Sequence, residues 1–420
     1  MKKVLLMICV LFATATLGIQ AQNNTNSPYT RFGYGQLHDG AFGRSQAMGG
    51  VSIGMRSKGN VNPVNPAAYS CIDSTSFLFD MGVSGLLANF SSGDSHRNTF
   101  TGNLEYVALQ FPIGKWMGMS IGMLPYSFVG YSYGFKDSVQ IQNPINDSVF
   151  LRNERSFAGN GGISQAYLGL SFNLWKRVSL GANFYYLFGN IDHLRYENKT
   201  STEGTVLYST TSKSNMHVRS FNTRFGIQYH QPIGKTDELI FGAIYEYKSK
   251  LHNTLDITSI AADTVTTSNA YDFQLPSVYG GGVSYMHDGR LTVGVDFLWQ
   301  DFAKAKYYGA VDSLHNRMKV SVGAEYIHDP MGQKYIDHMM WRLGANYTSS
   351  YINVNGVNTN DISITCGVGF PLRTIKSIVN FNFEYGHIGS QASNMLREQY
   401  FKFGLNISIN ENWFFKQTIK

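Results

Sequence analysis

Residues Val178–Gly189 read VSLGANFYYLFG. Val178, Leu180, Ala182, Phe184, Tyr186 and Phe188 alternate with Ser179, Gly181, Asn183 and Tyr185. Successive side chains of a strand point to opposite faces, so one face here is apolar and the other small or polar. That is the pattern of a strand with lipid on one side and a polar lumen on the other. The same period recurs in Tyr400–Ile409, YFKFGLNISI, where Phe401, Phe403, Leu405, Ile407 and Ile409 oppose Lys402, Gly404, Asn406 and Ser408. It recurs again where Val320, Val322, Ala324 and Tyr326 oppose Lys319, Ser321, Gly323 and Glu325.

Outward from these, about fourteen segments of roughly ten residues carry the pattern, the length a tilted membrane strand needs. They fall near 75–91, 98–111, 116–135, 163–174, 178–192, 217–230, 238–252, 276–287, 290–303, 317–328, 339–351, 360–370, 376–389 and 398–409. Their connections alternate in length. Those at 112–115, 175–177, 288–289 and 371–376 are short, whereas 136–162, 193–216 and 253–275 read as long polar loops. The turn at Asp329–Asp337 is longer than its short neighbours. An outer-membrane barrel sorts its turns this way, short on the periplasmic side and long outside. A secreted β-sandwich array, the soluble alternative, has no reason to.

Composition agrees. Charged residues make up 15 % of the chain, against roughly 25 % in soluble domains, and no apolar run approaches a membrane helix. Lys2 and Lys3, the apolar run 4–15 and the small residue Ala21 form a secretory signal peptide over 1–21. Cys9 lies too early for a lipoprotein. The formal net charge is +6. It falls further with the leader's two lysines and gives no argument for nucleic acid. Cys71 and Cys366 are too distant to make a disulfide framework and read as free, buried thiols.

Residues 22–74 precede the first strand and do not alternate. They are rich in Gly and contain GNVNPVNPAAYS at Gly59–Ser70. Pro donates no ladder bond and pushes the residue before it out of the helical region, so this knot is neither strand nor helix. The segment is a disordered leader or a plug.

At this point the chain resembles the FadL/TodX family of outer-membrane transporters for long-chain fatty acids and other hydrophobic compounds. Ser45–Ser70 is similar to the family's hatch, with Asn65, Pro66 and Ala67 in its Asn-Pro-Ala turn. Gln274–Gln300 is similar to a later signature, carried by Leu275, Pro276, Asp296 and Trp299. The run 159–189 looks like versions from Bacteroidetes-type bacteria. The chain ends in Lys420 rather than an aromatic residue, so Trp413, Phe414 and Phe415 are taken as the C-terminal assembly signal.

The resemblance implies an all-β transmembrane barrel at 75–420 with the hatch of 22–74 in its lumen, held by Asn62, Pro63, Asn65, Pro66, Ala67 and Ala68. It implies a kink in the third strand, MGMSIGMLPYSFVGYSYGF, where Gly122, Pro125 and Gly130 open the wall sideways; Pro inside a paired strand favours an edge or bulge. The expected function is uptake of hydrophobic compounds such as long-chain fatty acids, by hatch movement and lateral or periplasmic release. The expected partners are outer-membrane lipid and a hydrophobic ligand, for a monomer without cofactor, metal or nucleic acid. The alternatives are a secretion or assembly partner barrel, as in type IX secretion, and a structural or adhesive barrel.

Other motifs weigh less. Gly50–Gly54 and Gly118–Gly122 match Gly-x-Ser-x-Gly, but neither sits in the strand–turn–helix that a nucleophile elbow needs, so no enzyme is expected. The neighbours His38-Asp39, His287-Asp288 and His328-Asp329 lack a third convergent ligand. Asp137-Ser138-Val139, Asp147-Ser148-Val149, Asp263-Thr264-Val265 and Asp312-Ser313-Leu314 resemble Asp-Ser/Thr-apolar O-glycosylation acceptors in outer loops. If they are used, intact-mass measurement of the exported protein gives a mass above that of the bare chain from Gln22 onward. A mass equal to the bare chain removes the glycosylation reading.

Overall fold

The computed structural model describes residues 25–93, 95–142, 148–175, 177–201, 206–261, 264–269, 271–354, 357–372, 376–389 and 396–413. The leader, Phe414, Phe415, Asp147 and Asp263 lie outside them. Fourteen long strands follow one another: β1 Ser76–Ser92, β2 Ser95–Gly114, β3 Met117–Gln142, β4 Ser148–Leu174, β5 Val178–Ser201, β6 Val206–Ile233, β7 Asp237–Glu246, β8 Val278–His287, β9 Leu291–Gln300, β10 Arg317–Ile327, β11 Met340–Thr348, β12 Asp361–Pro371, β13 Ile378–Ile388 and β14 Arg397–Asn412. Each pairs antiparallel with the next, and β1 pairs with β14 from Ser76↔Asn412 to Ser91↔Arg397. The sheet therefore closes on itself as a barrel.

Burial is inverted relative to a soluble domain. Leu180, Phe184 and Tyr186 face outward and are exposed, while Ser179, Asn183 and Tyr185 of the same strand are buried inside. The same outward apolar surface continues through Leu343, Ile364, Phe383 and Phe403. This is the surface of an outer-membrane barrel, which crosses the bilayer with strands.

Three loop assignments are corrected. Residues 136–142, 148–162, 193–201 and 206–216 are not loops but continuations of β3, β4, β5 and β6, which run for 26, 27, 24 and 28 residues. In the third region, Asn253–Ala261 adds to β6 through Asn253↔Val218 to Ala261↔Thr210, and Thr264–Asn269 adds to it in turn. A strand of this length reaches on the order of 90 Å at ~3.3 Å per residue, far beyond a hydrocarbon core of about 30 Å. The outer parts therefore stand in water, where neither face has to be apolar. Stretches such as VLYSTTSKSNMHV keep their β-branched and aromatic residues but not the one-sided alternation. The cysteines are free, but neither thiol is buried as expected: Cys71 is half-buried and Cys366 exposed on the outer face.

Residues 25–72 make their contacts with the lumen faces of these strands. Glycines admit them. A Cβ on Gly181 would meet the Pro66 carbonyl carbon at 2.4 Å, and one on Gly226 the Asn65 side chain at 2.2 Å. The same close approach occurs at Gly118, Gly169, Gly242, Gly282, Gly294, Gly323, Gly344 and Gly367, so every strand from β3 to β12 contributes a lumen glycine. At Gly323 the added Cβ would lie 2.3 Å from the Met48 carbonyl oxygen, a backbone atom that cannot swing away. Gly323→Ala is expected to destabilise the barrel by roughly 1–3 kcal/mol through overpacking. The check is the temperature at which the folded band converts to the unfolded one in heat-modifiability gels; an unchanged temperature contradicts this packing.

Candidate functional site in the barrel lumen

The N-terminal segment descends from the outer end of the lumen to the periplasmic end, tied at every level. Near the top, the Ser27 hydroxyl donates to Glu398 at 2.5 Å, and the Tyr34 amide donates to the Tyr351 hydroxyl at 3.0 Å. The Arg31 guanidinium lies 3.7 Å from the centre of the Phe157 ring.

The middle level is ionic. His38 Nε2 lies 2.8 Å from Glu105 Oε2, and Lys402 Nζ 2.8 Å from Glu105 Oε1. Asp39 reaches a different wall, 2.7 Å from Arg317 and 2.6 Å from Lys319. Burial alone would raise the Asp39 carboxyl, but those two cations outweigh it and hold it far below the ordinary carboxylate range. Arg44 grips Glu325 with two bonds of 2.7 and 3.0 Å, and Arg342 holds the same carboxylate at 2.6 Å. Glu325 lies six residues nearer the periplasmic end of β10 than Lys319; between these depths, on β9, one oxygen of Asp296 accepts the backbone amides of Ser52 and Ile53 at 2.5 and 2.7 Å.

The knot closes the lower level. Asn62 Nδ2 donates to the carbonyls of Ser52 and Met55, and Asn183 of β5 donates to the Pro63 carbonyl at 2.8 Å. Asn65 caps the short 3-10 helix Pro66–Cys71 by accepting the Ala67 amide at 3.1 Å. Its Nδ2 donates to the carbonyls of Ile53 and of Ile227 in β6. Ser171 of β4 donates to the Ala67 carbonyl at 2.8 Å, and the Ala68 amide donates back to Asn65. The structure thus brings the knot residues together against β4, β5 and β6. Asp296 joins the site, and Leu275 is buried near its top. Pro276 borders a small cavity with Leu37 and His38. Trp299 is half-buried on β9, cross-strand from Tyr279 and Met318, away from the site.

The third strand departs from its neighbour. Pairing of β2 with β3 ends at Val107↔Met123, just past Gly122 and two residues short of Pro125. Against β4, the register of β3 shifts between Pro125 and Ser127, which makes Tyr126 a bulge. On β2, the register with β1 shifts at the same level and leaves Glu105 as the extra residue. Gln36 and Leu37 pair antiparallel with Phe128 and Ser127 on the vacated edge of β3. The His38 amide then donates to the Tyr126 carbonyl at 2.9 Å, and the Gly130 amide donates to the Thr30 hydroxyl at 3.1 Å. At the top, Arg97 of β2 donates to the Ser132 carbonyl at 3.0 Å. A seam in the wall thus runs from Met123 to Ser132, with the N-terminal segment behind it.

Beside the seam lies a cavity of about 230 Å³, bordered by Glu105, Lys402, Asp361, Glu384, Glu398 and Tyr400. Its border sets these groups beside apolar side chains, among them Leu37, Leu86, Phe128, Ile352 and Ile388. Among the described residues no group of three His, Cys, Asp or Glu side chains is placed to hold a metal ion. Sequence reasoning missed the ionic residues. His38 and Asp39 looked like an idle neighbouring pair, yet they serve opposite walls. Glu105, Glu325, Arg342 and Lys402 were recorded only as polar members of alternating strands, or not at all. The available signal was full charge at lumen positions of membrane-depth strands, where charges need partners.

A family model described as BamG matches residues 1–420. The chain belongs to the BamG family. No curated protein matches it. Among solved structures, this BamG-family chain is similar to the Ralstonia pickettii toluene transporter TbuX, at 13 % identity and a TM-score of 0.57, over 88 % of this chain and 98 % of that one. It is similar to the Pseudomonas putida toluene transporter TodX, at 14 % identity and 0.56, over 90 % and 99 %. It is similar to a Pseudomonas aeruginosa FadL homologue, at 11 % identity and 0.55, over 90 % and 99 %. At these identities the likeness is one of fold: the BamG-family barrel has the architecture of FadL/TodX-type barrels.

Glu325 neutralises both Arg44 and Arg342 away from water. Glu325→Gln leaves two buried cations short of their counter-charge and is expected to cost about 3–5 kcal/mol. The loss should appear as a lowered unfolding temperature in detergent and as protease cleavage within residues 39–58. A variant as stable and as resistant as the parent contradicts the ionic tether.

Proposed function

We propose that this barrel works shut. Residues 22–74 are its plug, 75–420 its wall, and its working surfaces face other outer-membrane proteins, as in an assembly or secretion partner. One observation carries the reading: buried polar contacts bind the segment to opposite walls, through the hydrogen bond of His38 to Glu105 on β2 and the ion pairs of Asp39 with Arg317 and Lys319 and of Arg44 with Glu325 at two depths of β10. Displacing it separates several such pairs, and each broken buried pair costs about 3–5 kcal/mol. A diffusing hydrocarbon gains only ~0.8 kcal/mol per buried CH₂, and the cavity it would enter places carboxylates and a lysine within its apolar lining. The polar sheet that extends β3–β6 beyond the membrane adds surface for a protein partner. Membership of the BamG family agrees with work alongside other outer-membrane proteins.

A second reading is favoured by the seam. There Gly122, Pro125 and Gly130 shape a side exit, the knot from Asn62 to Ala68 anchors a moving hatch, and hydrophobic compounds such as long-chain fatty acids pass to the bilayer or periplasm. The solved neighbours titled as toluene transporters make it concrete.

One paired experiment separates the two. The protein is extracted from its own outer membrane in mild detergent and run on native gels, and the purified barrel is placed in liposomes containing labelled palmitate or toluene. The shut-partner reading expects co-migration with other outer-membrane proteins and no flux above empty liposomes. Flux that Pro125→Ala or Asn65→Ala abolishes, with migration as a lone barrel, overturns it in favour of uptake.

A further inference from the structure

The seam has a chemistry that hydrocarbon does not satisfy. Beyond Val107↔Met123, the β2 edge from His96 to Tyr106 has no ladder partner on its β3 side among the described residues. Among the described residues the facing edge of β3 has ladder partners only in Gln36 and Leu37, with single bonds from the His38 amide to the Tyr126 carbonyl, from the Gly130 amide to the Thr30 hydroxyl and from Arg97 to the Ser132 carbonyl. At this height the outer face of β2 is apolar, with Phe100 and Leu104 exposed. Unpaired backbone groups beside lipid cost several kcal/mol each. The side chains repeat the message. Thr101 on β2 and Ser127 on β3 are 2 % and 1 % exposed, and neither hydroxyl has a hydrogen-bond partner among the described residues. Two bulges, at Glu105 and Tyr126, hold the edges apart, and His38 bridges them with its amide on Tyr126 and its ring on Glu105.

What fits such a gap must bring N–H and C=O groups along its whole length. It must be apolar on the side of Phe100 and Leu104, and polar on the side of Thr101 and Ser127. That describes an extended strand of the outer-membrane barrel type. We propose that the β2–β3 seam is an acceptor site for an alternating strand of a partner polypeptide, with Gln36–His38 as the placeholder that the strand replaces. The placeholder demonstrates the mode, because it already sits antiparallel on β3 and covers only two residues of the edge. Main-chain pairing supplies the affinity and the alternation supplies the fit, as in other strand-addition complexes. The proposal rests on the shut-partner reading and names the kind of partner segment. It fails separately from that reading, since co-migration with outer-membrane proteins can persist by another surface.

The test uses the full-length barrel in detergent, in a Cys71→Ser/Cys366→Ser background. The probe is a synthetic peptide of sequence YFKFGLNISI with a photo-crosslinking residue in place of the leucine. Three proteins are compared: the parent, His38→Ala, and a Leu37→Cys/Ser127→Cys variant oxidised to hold the placeholder in place. Glu105→Gln replaces His38→Ala if the latter does not fold. We expect crosslinks to β2 and β3 between Arg97 and Tyr133, strengthened by His38→Ala. They should weaken by about tenfold or more in the oxidised variant, and likewise for a peptide N-methylated at alternate residues, which lacks ladder donors. Equal labelling by the N-methylated peptide, equal labelling of the oxidised variant, or no labelling of either unlatched variant overturns the proposal. Displacement of the peptide by palmitate alone also overturns it and makes the seam an apolar exit.

Discussion

The lumen has a fixed cross-section, and almost everything else in this protein answers to it. A ring of this many strands is too wide for inward side chains alone to fill. It is too narrow to hold both a full set of side chains and another stretch of backbone. The compromise is local deletion: each strand from β3 to β12 places a lumen glycine where the backbone of the N-terminal segment comes closest, between polar residues that hydrogen-bond to it. The path of the segment is therefore written into the wall as a track of missing side chains. Asn65 and Pro66 lie in it against Gly181 and Gly226, and Met48 and Gly49 against Gly323 and Gly344.

With shape settled by glycine, orientation falls to charge. His38, Asp39 and Arg44 leave the segment in different directions: His38 reaches the Glu105 carboxylate, and Asp39 and Arg44 each meet an opposite charge on β10. Ionic pairs inside a protein add little net stability compared with well-packed apolar side chains, but a wrong pairing is heavily penalised. Such contacts select one rotation and one depth for the segment.

The barrel was legible in the sequence because lipid enforces alternation. Val178–Gly189 and Tyr400–Ile409 announce their faces, and the pairing of β1 with β14 follows from the even number of strands. The outer halves of β3 to β6 were not legible, because strands standing in water are free to be polar on both faces. The knot was half legible: its prolines exclude a strand, but the expectation of no helix fails at Pro66–Cys71, a 3-10 helix that Pro66 opens at a position where its missing N–H costs nothing, and nothing in the sequence says that Asn65 would cap it and reach β6 as well. Pro125 marked the departure of β3, while the matching bulge at Glu105 leaves no trace, since one extra residue in a strand resembles any other. The ion pairs between the segment and the wall join residues separated by 278 to 281 positions, and a single sequence holds no record of who meets whom at that range.

The order of the chain has a consequence for how such an object comes into being. The segment begins beside β14, where Ser27 meets Glu398 across 371 positions, and it ends where β1 starts. It is translated first, yet its upper anchor is translated nearly last. Once β1 and β14 have joined, the wall is left unpaired at the β2–β3 seam, and most of the fifty tethered residues lie against strands that are already closed. The wall must therefore curl around the segment while still an open sheet, with the glycine track acting as its mandrel. Contacts between such distant positions form slowly, so the unfinished molecule passes a long interval as a curved sheet with two bare margins. Its biogenesis is then a matter of how those margins are guarded until they find one another.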